Sequence, residues 1–107
     1  MHLYPHHTGS PRRLPRPVRD CMMRRFGLLA EHLETLRCFD YDSTVNGKQV
    51  RRFRIYSPLI AQQQNVAIAG LSDLEKHPNM LLFEGYIDRE GEAYVADRRI
   101  PLHMKRR

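Results

Sequence analysis

Residues 39–56 read FDYDSTVNGKQVRRFRIY and combine two runs rich in β-branched and aromatic residues with an Asn-Gly pair between them. Asn-Gly favours the backbone of a tight turn, so this stretch predicts a β-hairpin that turns at Asn46 and Gly47. Successive side chains of a strand point to opposite faces of its sheet. The length of the loop therefore decides which side chains share a face.

The side chains of this hairpin favour a loop of three residues, 45–47. A two-residue loop would place aromatic residues opposite arginines, whereas a three-residue loop gathers four apolar side chains on one face. Those four are Phe39, Tyr41, Phe53 and Ile55. The other face would carry Asp40 and Asp42 across from Arg52 and Arg54. We therefore expect one buried face and one charged face.

The composition of the 107-residue chain, with 41% hydrophobic residues, is typical of one small domain. No apolar run approaches the ~20 residues that span a membrane, and the first residues lack the apolar segment of a secretory signal. The two cysteines, Cys21 and Cys38, show no metal-ligand or redox spacing. We expect a cytoplasmic protein with reduced thiols and no membrane contact.

The net charge of +6 is concentrated at the ends of the chain. Residues 1–19 hold four arginines and no acid, residues 105–107 add three more cations, and residues 20–104 carry a net charge of −1. Four prolines before residue 18 oppose a helix there. We expect a flexible Pro/Arg-rich arm over residues 1–21, an α+β domain over 22–101 and a basic tail over 102–107. Whether the arm belongs to the native protein stays open, because Met22 or Met23 is an alternative start.

Helical patterns precede each of two predicted hairpins. Apolar residues recur at intervals of three and four over residues 24–37, which predicts a helix. Ser57 and Pro58 form a typical helix start, and we expect a second helix over 59–69, with a short strand at 65–69 as the alternative. The segment from Ser72 to Glu75 matches a capping box that opens a further short helix.

Residues 80–100 predict a second hairpin with a three-residue loop, 89–91, that ends in glycine. The resulting order, α-β-β-α-β-β, predicts an α+β fold: an antiparallel sheet of two hairpins with helices on one face.

Three arginines of the first hairpin form the first candidate binding site: Arg51, Arg52 and Arg54. Their planar guanidinium groups suit phosphate oxygens, and Tyr56 is the aromatic residue expected to remain free for stacking. The alternative is local ion pairing with Asp40 and Asp42 on a solvated face.

An acidic tip on the second hairpin is the second candidate, and it comprises Asp88, Glu90 and Glu92. Paired carboxylates support acid-base chemistry, but acids around an exposed turn are more often solvated. Alternatively, such a tip docks on a partner protein. The chain contains no nucleophile motif, no phosphate-binding glycine loop and no closed set of metal ligands. We expect no catalytic activity, no cofactor and no metal.

These patterns favour a small non-enzymatic protein-binding module that acts as a regulator, inhibitor or adaptor. The alternative is a nucleic-acid-binding accessory protein that uses the arginine face and the basic termini. The charge of −1 over residues 20–104 decides this order, because a near-neutral domain has no general attraction for phosphate polymers. A homodimer formed through an edge strand is a further candidate assembly.

Overall fold

The computed structural model describes residues 9–99, which form one four-stranded antiparallel sheet in the order β1-β2-β3-β4. The strands are β1 Arg37–Val45, β2 Lys48–Tyr56, β3 Phe83–Ile87 and β4 Ala93–Asp97. Helices α1 (Arg16–Phe26) and α2 (Ala30–Leu33) precede β1, while α3 (Pro58–Gln63), α4 (Leu71–Lys76) and a 3-10 turn (Pro78–Met80) connect β2 to β3. The predicted α+β class and the order of helical segments and hairpins are confirmed. No helix in this part of the chain combines the length and apolar character that crossing a membrane requires.

The first hairpin turns through two residues, so the predicted three-residue loop is wrong. Val45 pairs with Lys48, and the loop residues Asn46 and Gly47 have φ values of 54° and 79°. Two consecutive left-handed residues match the twist of the flanking strands, which is why Asn-Gly favours this shorter turn. As a result, odd positions of β1 lie opposite even positions of β2.

This register buries both faces of the hairpin at its base. Phe53 and Ile55 point toward α1, whereas Phe39 and Tyr56 point toward α3 and α4. The expectation that Phe39 shares a face with Phe53 is therefore wrong, although both are buried. The expectation that the helices lie on one face is also wrong, because the sheet lies between two helical layers.

Each face has its own hydrophobic core. The first core joins α1 and α2 to the sheet and contains Leu14, Val18, Cys21, Met22, Leu33, Leu36, Cys38, Phe53, Ile55, Phe83, Ala93 and Val95. The second core, under α3 and α4, contains Phe39, Tyr56, Ala61, Leu71, Leu74 and Met80.

The arm predicted for residues 1–21 is wrong over most of the part that the structure describes. Helix α1 begins at Arg16, and its flanking prolines are tolerated because the N–H groups of a first helical turn have no partner within the helix. Val18 is fully buried. Arg12 extends the sheet by a bridge to Cys38, with N–O distances of 2.9 and 2.8 Å. The folded domain thus begins well before residue 22, while residues 1–8 and the predicted tail lie outside the described residues.

A glycine divides the helix predicted over residues 24–37. Gly27 has a φ of 67° and ends α1, and its N–H donates to the carbonyl of Met23. Glycine readily adopts this left-handed backbone, which closes a helix. Helix α2 follows as a separate turn, and Leu29, expected on the buried face, is 54% exposed.

The segment between the hairpins confirms the predicted helix start but not its length. The hydroxyl of Ser57 accepts the N–H of Ile60, as expected of an N-cap. Helix α3 ends early because Asn65 takes the left-handed backbone, and residues 65–69 form neither helix nor strand. Helix α4 begins after Gly70 rather than Ser72, and the carboxylate of Asp73 accepts the N–H of Gly70.

The second hairpin follows its predicted register. Phe83 pairs with Asp97 and Ile87 with Ala93, so odd positions face odd positions. The N–H of Asp88 donates to the carbonyl of Glu92, which closes a loop of three residues. Its last residue, Gly91, has the expected left-handed backbone, with a φ of 86°.

A chain that begins at Met22 should be much less stable than one that begins at residue 9. The longer deletion removes the buried side chains of Leu14, Val18 and Cys21. Burial of one aliphatic side chain contributes about 1.5–3 kcal/mol, and about 1 kcal/mol shifts Tm by about 4–8 °C in a domain of this size. We expect Tm to fall by more than about 10 °C in thermal unfolding followed by circular dichroism. Equal melting of the two chains would contradict the packing of α1.

Both thiols should resist modification in the native state. Cys21 and Cys38 are 1% and 2% exposed, and burial, together with the charge of Asp40, raises the pKa of Cys38 to about 12. Because the thiolate is the reactive form, we expect no labelling by an aromatic disulfide reagent at pH 8 until denaturant is added. Rapid labelling of either thiol in the folded protein would show that α1 does not cover them.

Candidate functional site

Arg51 forms ion pairs with neighbouring carboxylates on the face of the sheet that carries the first core. Its Nε lies 3.2 Å from Asp40 Oδ2, and its Nη1 lies 2.6 Å from Asp42 Oδ1. Partial burial lowers the pKa of Arg51, but the hydrogen bonds to the two carboxylates outweigh this effect and raise it. Arg12 also approaches Asp40, at 3.3 Å. For Arg51, local pairing is therefore the better interpretation.

Arg52 and Arg54 lie on the opposite face, so the three predicted arginines do not form one patch. Arg54 lies 3.4 Å from Glu75 and 3.9 Å from Glu84, with its guanidinium 5.8 Å from the ring centre of Tyr41. The Nε of Arg52 instead donates to the hydroxyl of Ser43 at 3.0 Å. A hydroxyl does not neutralise a guanidinium, so Arg52 keeps an uncompensated charge.

Tyr56 is a core residue, and its predicted role as a free stacking aromatic is wrong. The residue is 3% exposed, and its ring stacks on Phe39 with centroids 5.6 Å apart and planes within 4°. Burial raises the pKa of the Tyr56 phenol. The error has two causes: the shorter turn places Phe39 on the same face as Tyr56, and α3 and α4 cover this face.

The acidic tip is organised around its own turn. Asp88 Oδ1 accepts the backbone N–H groups of Glu90 and Glu92, each at 2.9 Å, and so caps the loop. Glu90 and Glu92 are exposed. This geometry matches the solvated turn considered above, and it does not pair carboxylates for proton transfer.

A row of side chains across all four strands is the feature that the sequence interpretation missed. Tyr41, Arg52, Tyr86 and Tyr94 are successive register partners from β1 to β4. The rings of Tyr86 and Tyr94 stack with centroids 5.0 Å apart and a 29° tilt. Tyr94 is 45% exposed. We call the stacked pair of Tyr86 and Tyr94 the tyrosine ridge.

Grooves open on both sides of the tyrosine ridge. One, of about 220 Å³, lies between the two hairpin tips and includes Lys48, Arg89 and Glu90 in its lining. The other, of about 310 Å³, lies along β4 and includes Arg25, Arg52 and Glu84. We refer to them as the tip groove and the edge groove. Both have Tyr86 and Tyr94 in their walls.

Of the three acids that line the two grooves, Glu84 is neutralised by arginines, whereas Asp88 and Glu90 keep their negative charges. Glu84 pairs with Arg98 and Arg54. Asp88 accepts the two turn amides and the hydroxyl of Tyr94, the latter at 3.4 Å. Glu90 is thus the groove acid without a cationic or hydrogen-bonding partner for its side chain among the described residues.

The cations of the same grooves are not neutralised. Among the described residues, Lys48 and Arg89 form no ion pair, and Arg52 donates to a neutral hydroxyl. Arg25 donates to the carbonyl oxygen of Val95 at 2.8 Å, also a neutral partner, and lies over the ring of Phe26. Four positive charges therefore surround the tyrosine ridge without a carboxylate partner.

The Tyr94 phenol adds no negative charge to this surface. Partial desolvation and the charge of Asp88 both raise the pKa of Tyr94 above its ordinary value. The ring therefore stays neutral at physiological pH, and it presents an uncharged aromatic face beside the four cations.

The folded domain is basic once its true beginning is included. Residues 9–99 contain 15 Lys and Arg and 12 Asp and Glu, a net charge of +3. The value of −1 applied to residues 20–104 and omitted four arginines, Arg12, Arg13, Arg16 and Arg19, of which the last two belong to α1. That omission followed directly from the prediction of a separate arm.

Within residues 9–99, no three His, Cys, Asp or Glu side chains are grouped so that they could hold a metal ion.

Comparison with protein-family models, curated protein sequences and solved structures finds no match for the chain.

Truncation of two tyrosines on the same face of the sheet should cost very different amounts of stability. Tyr56→Ala removes a fully packed ring and should lower the free energy of unfolding by about 3–5 kcal/mol. Tyr94→Ala removes a half-exposed ring that stacks on one neighbour, so the loss should be about 1 kcal/mol. Urea unfolding followed by circular dichroism measures both. Equal losses would show that Tyr94 belongs to the core, or that Tyr56 does not.

Proposed function

We propose that this protein is a non-enzymatic accessory protein that binds nucleic acid through the tyrosine ridge and its two grooves. The observation that carries the proposal is a set of four cations without carboxylate partners around the tyrosine ridge, whose outer ring, Tyr94, is exposed. The four are Lys48, Arg89, Arg25 and Arg52. Cations without carboxylate partners attract phosphates, and aromatic rings stack on bases, so their combination suits nucleic acid.

The charge of the folded domain supports this order of candidates. The preference for a protein partner rested on a near-neutral domain, and residues 9–99 carry +3. The proposed surface differs from the arginine face considered from sequence. Arg51 and Arg54 are engaged by carboxylates, and Tyr56 is buried, so the binding role passes to other side chains of the same sheet.

A protein-binding module that acts as a regulator, inhibitor or adaptor is the second candidate. Two neighbouring apolar residues of α3, Leu59 and Ile60, are 56% and 37% exposed. Tyr and Arg, which form the tyrosine ridge and line its grooves, are also enriched where protein partners bind most tightly. Partners recovered from native cells after nuclease treatment, and lost on Leu59→Ser, would favour this candidate.

Removing two groove cations should weaken nucleic-acid binding. The double variant Lys48→Gln, Arg89→Gln should bind a labelled oligonucleotide at least about tenfold more weakly. The negative slope of log K against log salt should become shallower by about 1.5. Fluorescence anisotropy between about 50 and 200 mM salt, the range in which phosphate contacts are most visible, measures both quantities.

The matched control for this experiment is Arg13→Gln, Lys76→Gln, which removes the same charge elsewhere on the surface. Both residues are exposed, and Arg13 makes only a surface ion pair with Glu34, which contributes little to stability. Its affinity should change far less than that of the groove variant. Equal weakening by the two variants would show that binding depends on net charge and not on the groove cations. Absence of binding by the native chain would refute the proposal.

A further inference from the structure

We infer that the ligand of this surface is a single-stranded segment, with an unpaired base stacked on Tyr94. This inference rests on the proposed function and adds the form of the nucleic acid to it. The argument depends on the position of Tyr94 at the end of the cross-strand row.

Tyr94 offers one ring face to a ligand. Strand β4 is an edge of the sheet, so the row that contains Tyr86 and Tyr94 ends there. Tyr86 covers one side of the Tyr94 ring, and within residues 9–99 no further strand covers the other. The exposure of 45% agrees with a ring that is open on one side.

A base can use that ring face only when it is unpaired and unstacked. In a duplex, each internal base is enclosed by its neighbours, and only its edges reach the grooves. Single strands expose the base faces, and stacking on aromatic side chains is their general mode of binding. The tyrosine ridge therefore selects against an intact duplex.

The grooves provide phosphate contacts on both sides of the stacked base. Lys48 and Arg89 line the tip groove, while Arg25 and Arg52 line the edge groove. Lys48 and Arg52 are four residues apart on β2, a span of about 13 Å along the strand. A backbone that crosses the ridge can thus meet a cation before and after the base. The surface suits a short segment of roughly two or three nucleotides.

Affinity for single strands should be largely independent of sequence. Every base has an aromatic face that can stack on tyrosine, and the four cations contact phosphates rather than base edges. We expect pyrimidine oligomers of DNA and of RNA to bind with similar affinity, since neither stacking nor charge distinguishes the two sugars.

The test measures binding of the full chain to a labelled ten-residue oligothymidylate, an oligouridylate of the same length and a DNA duplex. Fluorescence anisotropy at about 100 mM salt, where phosphate contacts are partly screened, should show at least about tenfold tighter binding of the single strands than of the duplex. Equal affinity for the duplex would overturn the inference and leave the proposed function standing. No binding of any probe would overturn both.

Substitutions of Tyr94 separate stacking from charge. Tyr94→Leu should weaken single-strand binding about fivefold or more, because it removes one base–aromatic stack, and it should leave the salt slope unchanged. Tyr94→Phe keeps the ring and should bind within about twofold of the native chain, as expected when stacking dominates. Unchanged binding by Tyr94→Leu would overturn the inference.

A second copy of the chain is the rival occupant of this face. Sedimentation velocity should show a monomer for the native chain and for Tyr94→Leu. A native dimer that Tyr94→Leu dissociates would overturn the inference, because the ridge would then be covered by protein.

Discussion

The two-residue turn at Asn46 and Gly47 determines where every side chain of the first hairpin lies. Because successive residues alternate between faces, the parity of this loop assigns Phe39 to one core and Phe53 to the other. It also directs Arg51 toward carboxylates and leaves Arg52 in the row of aromatic residues. Apolar side chains therefore lie on both faces of the sheet, and a helical layer packs against each face.

Signals contained within a few residues predicted the structure well, and signals that depend on context did not. Ser57 begins a helix and Gly91 ends a three-residue loop, as their local chemistry indicates. The prolines at 15 and 17 were misjudged because proline interrupts a helix interior but suits a first turn. Whether a proline interrupts or favours the helix depends on where the helix begins. The start of α1 is fixed by the packing of Val18 and Met22 against the sheet, which local sequence does not show.

The candidate site was less predictable than the fold because it is assembled from both hairpins. Tyr86 and Tyr94 could be placed on one face of the second hairpin from sequence alone. Their alignment with Arg52 depends on the pairing of β2 with β3, which no local pattern specifies. Tyr56 and Tyr94 also look alike in sequence, yet one is 3% and the other 45% exposed. Only the packing of α3 and α4 on one end of the sheet distinguishes them.

The contact between α1 and β4 has a consequence for synthesis of the chain on the ribosome. Arg25 of α1 donates to Val95 of β4, seventy residues later, and Ala93 and Val95 complete the first core. The apolar side of α1 therefore stays exposed until β4 has been synthesised and packs against it. Incomplete chains that expose such surface are prone to aggregate or to recruit chaperones. For this domain that exposed interval lasts until β4 has left the exit tunnel, so the first core closes only after nearly all of residues 9–99 have been synthesised.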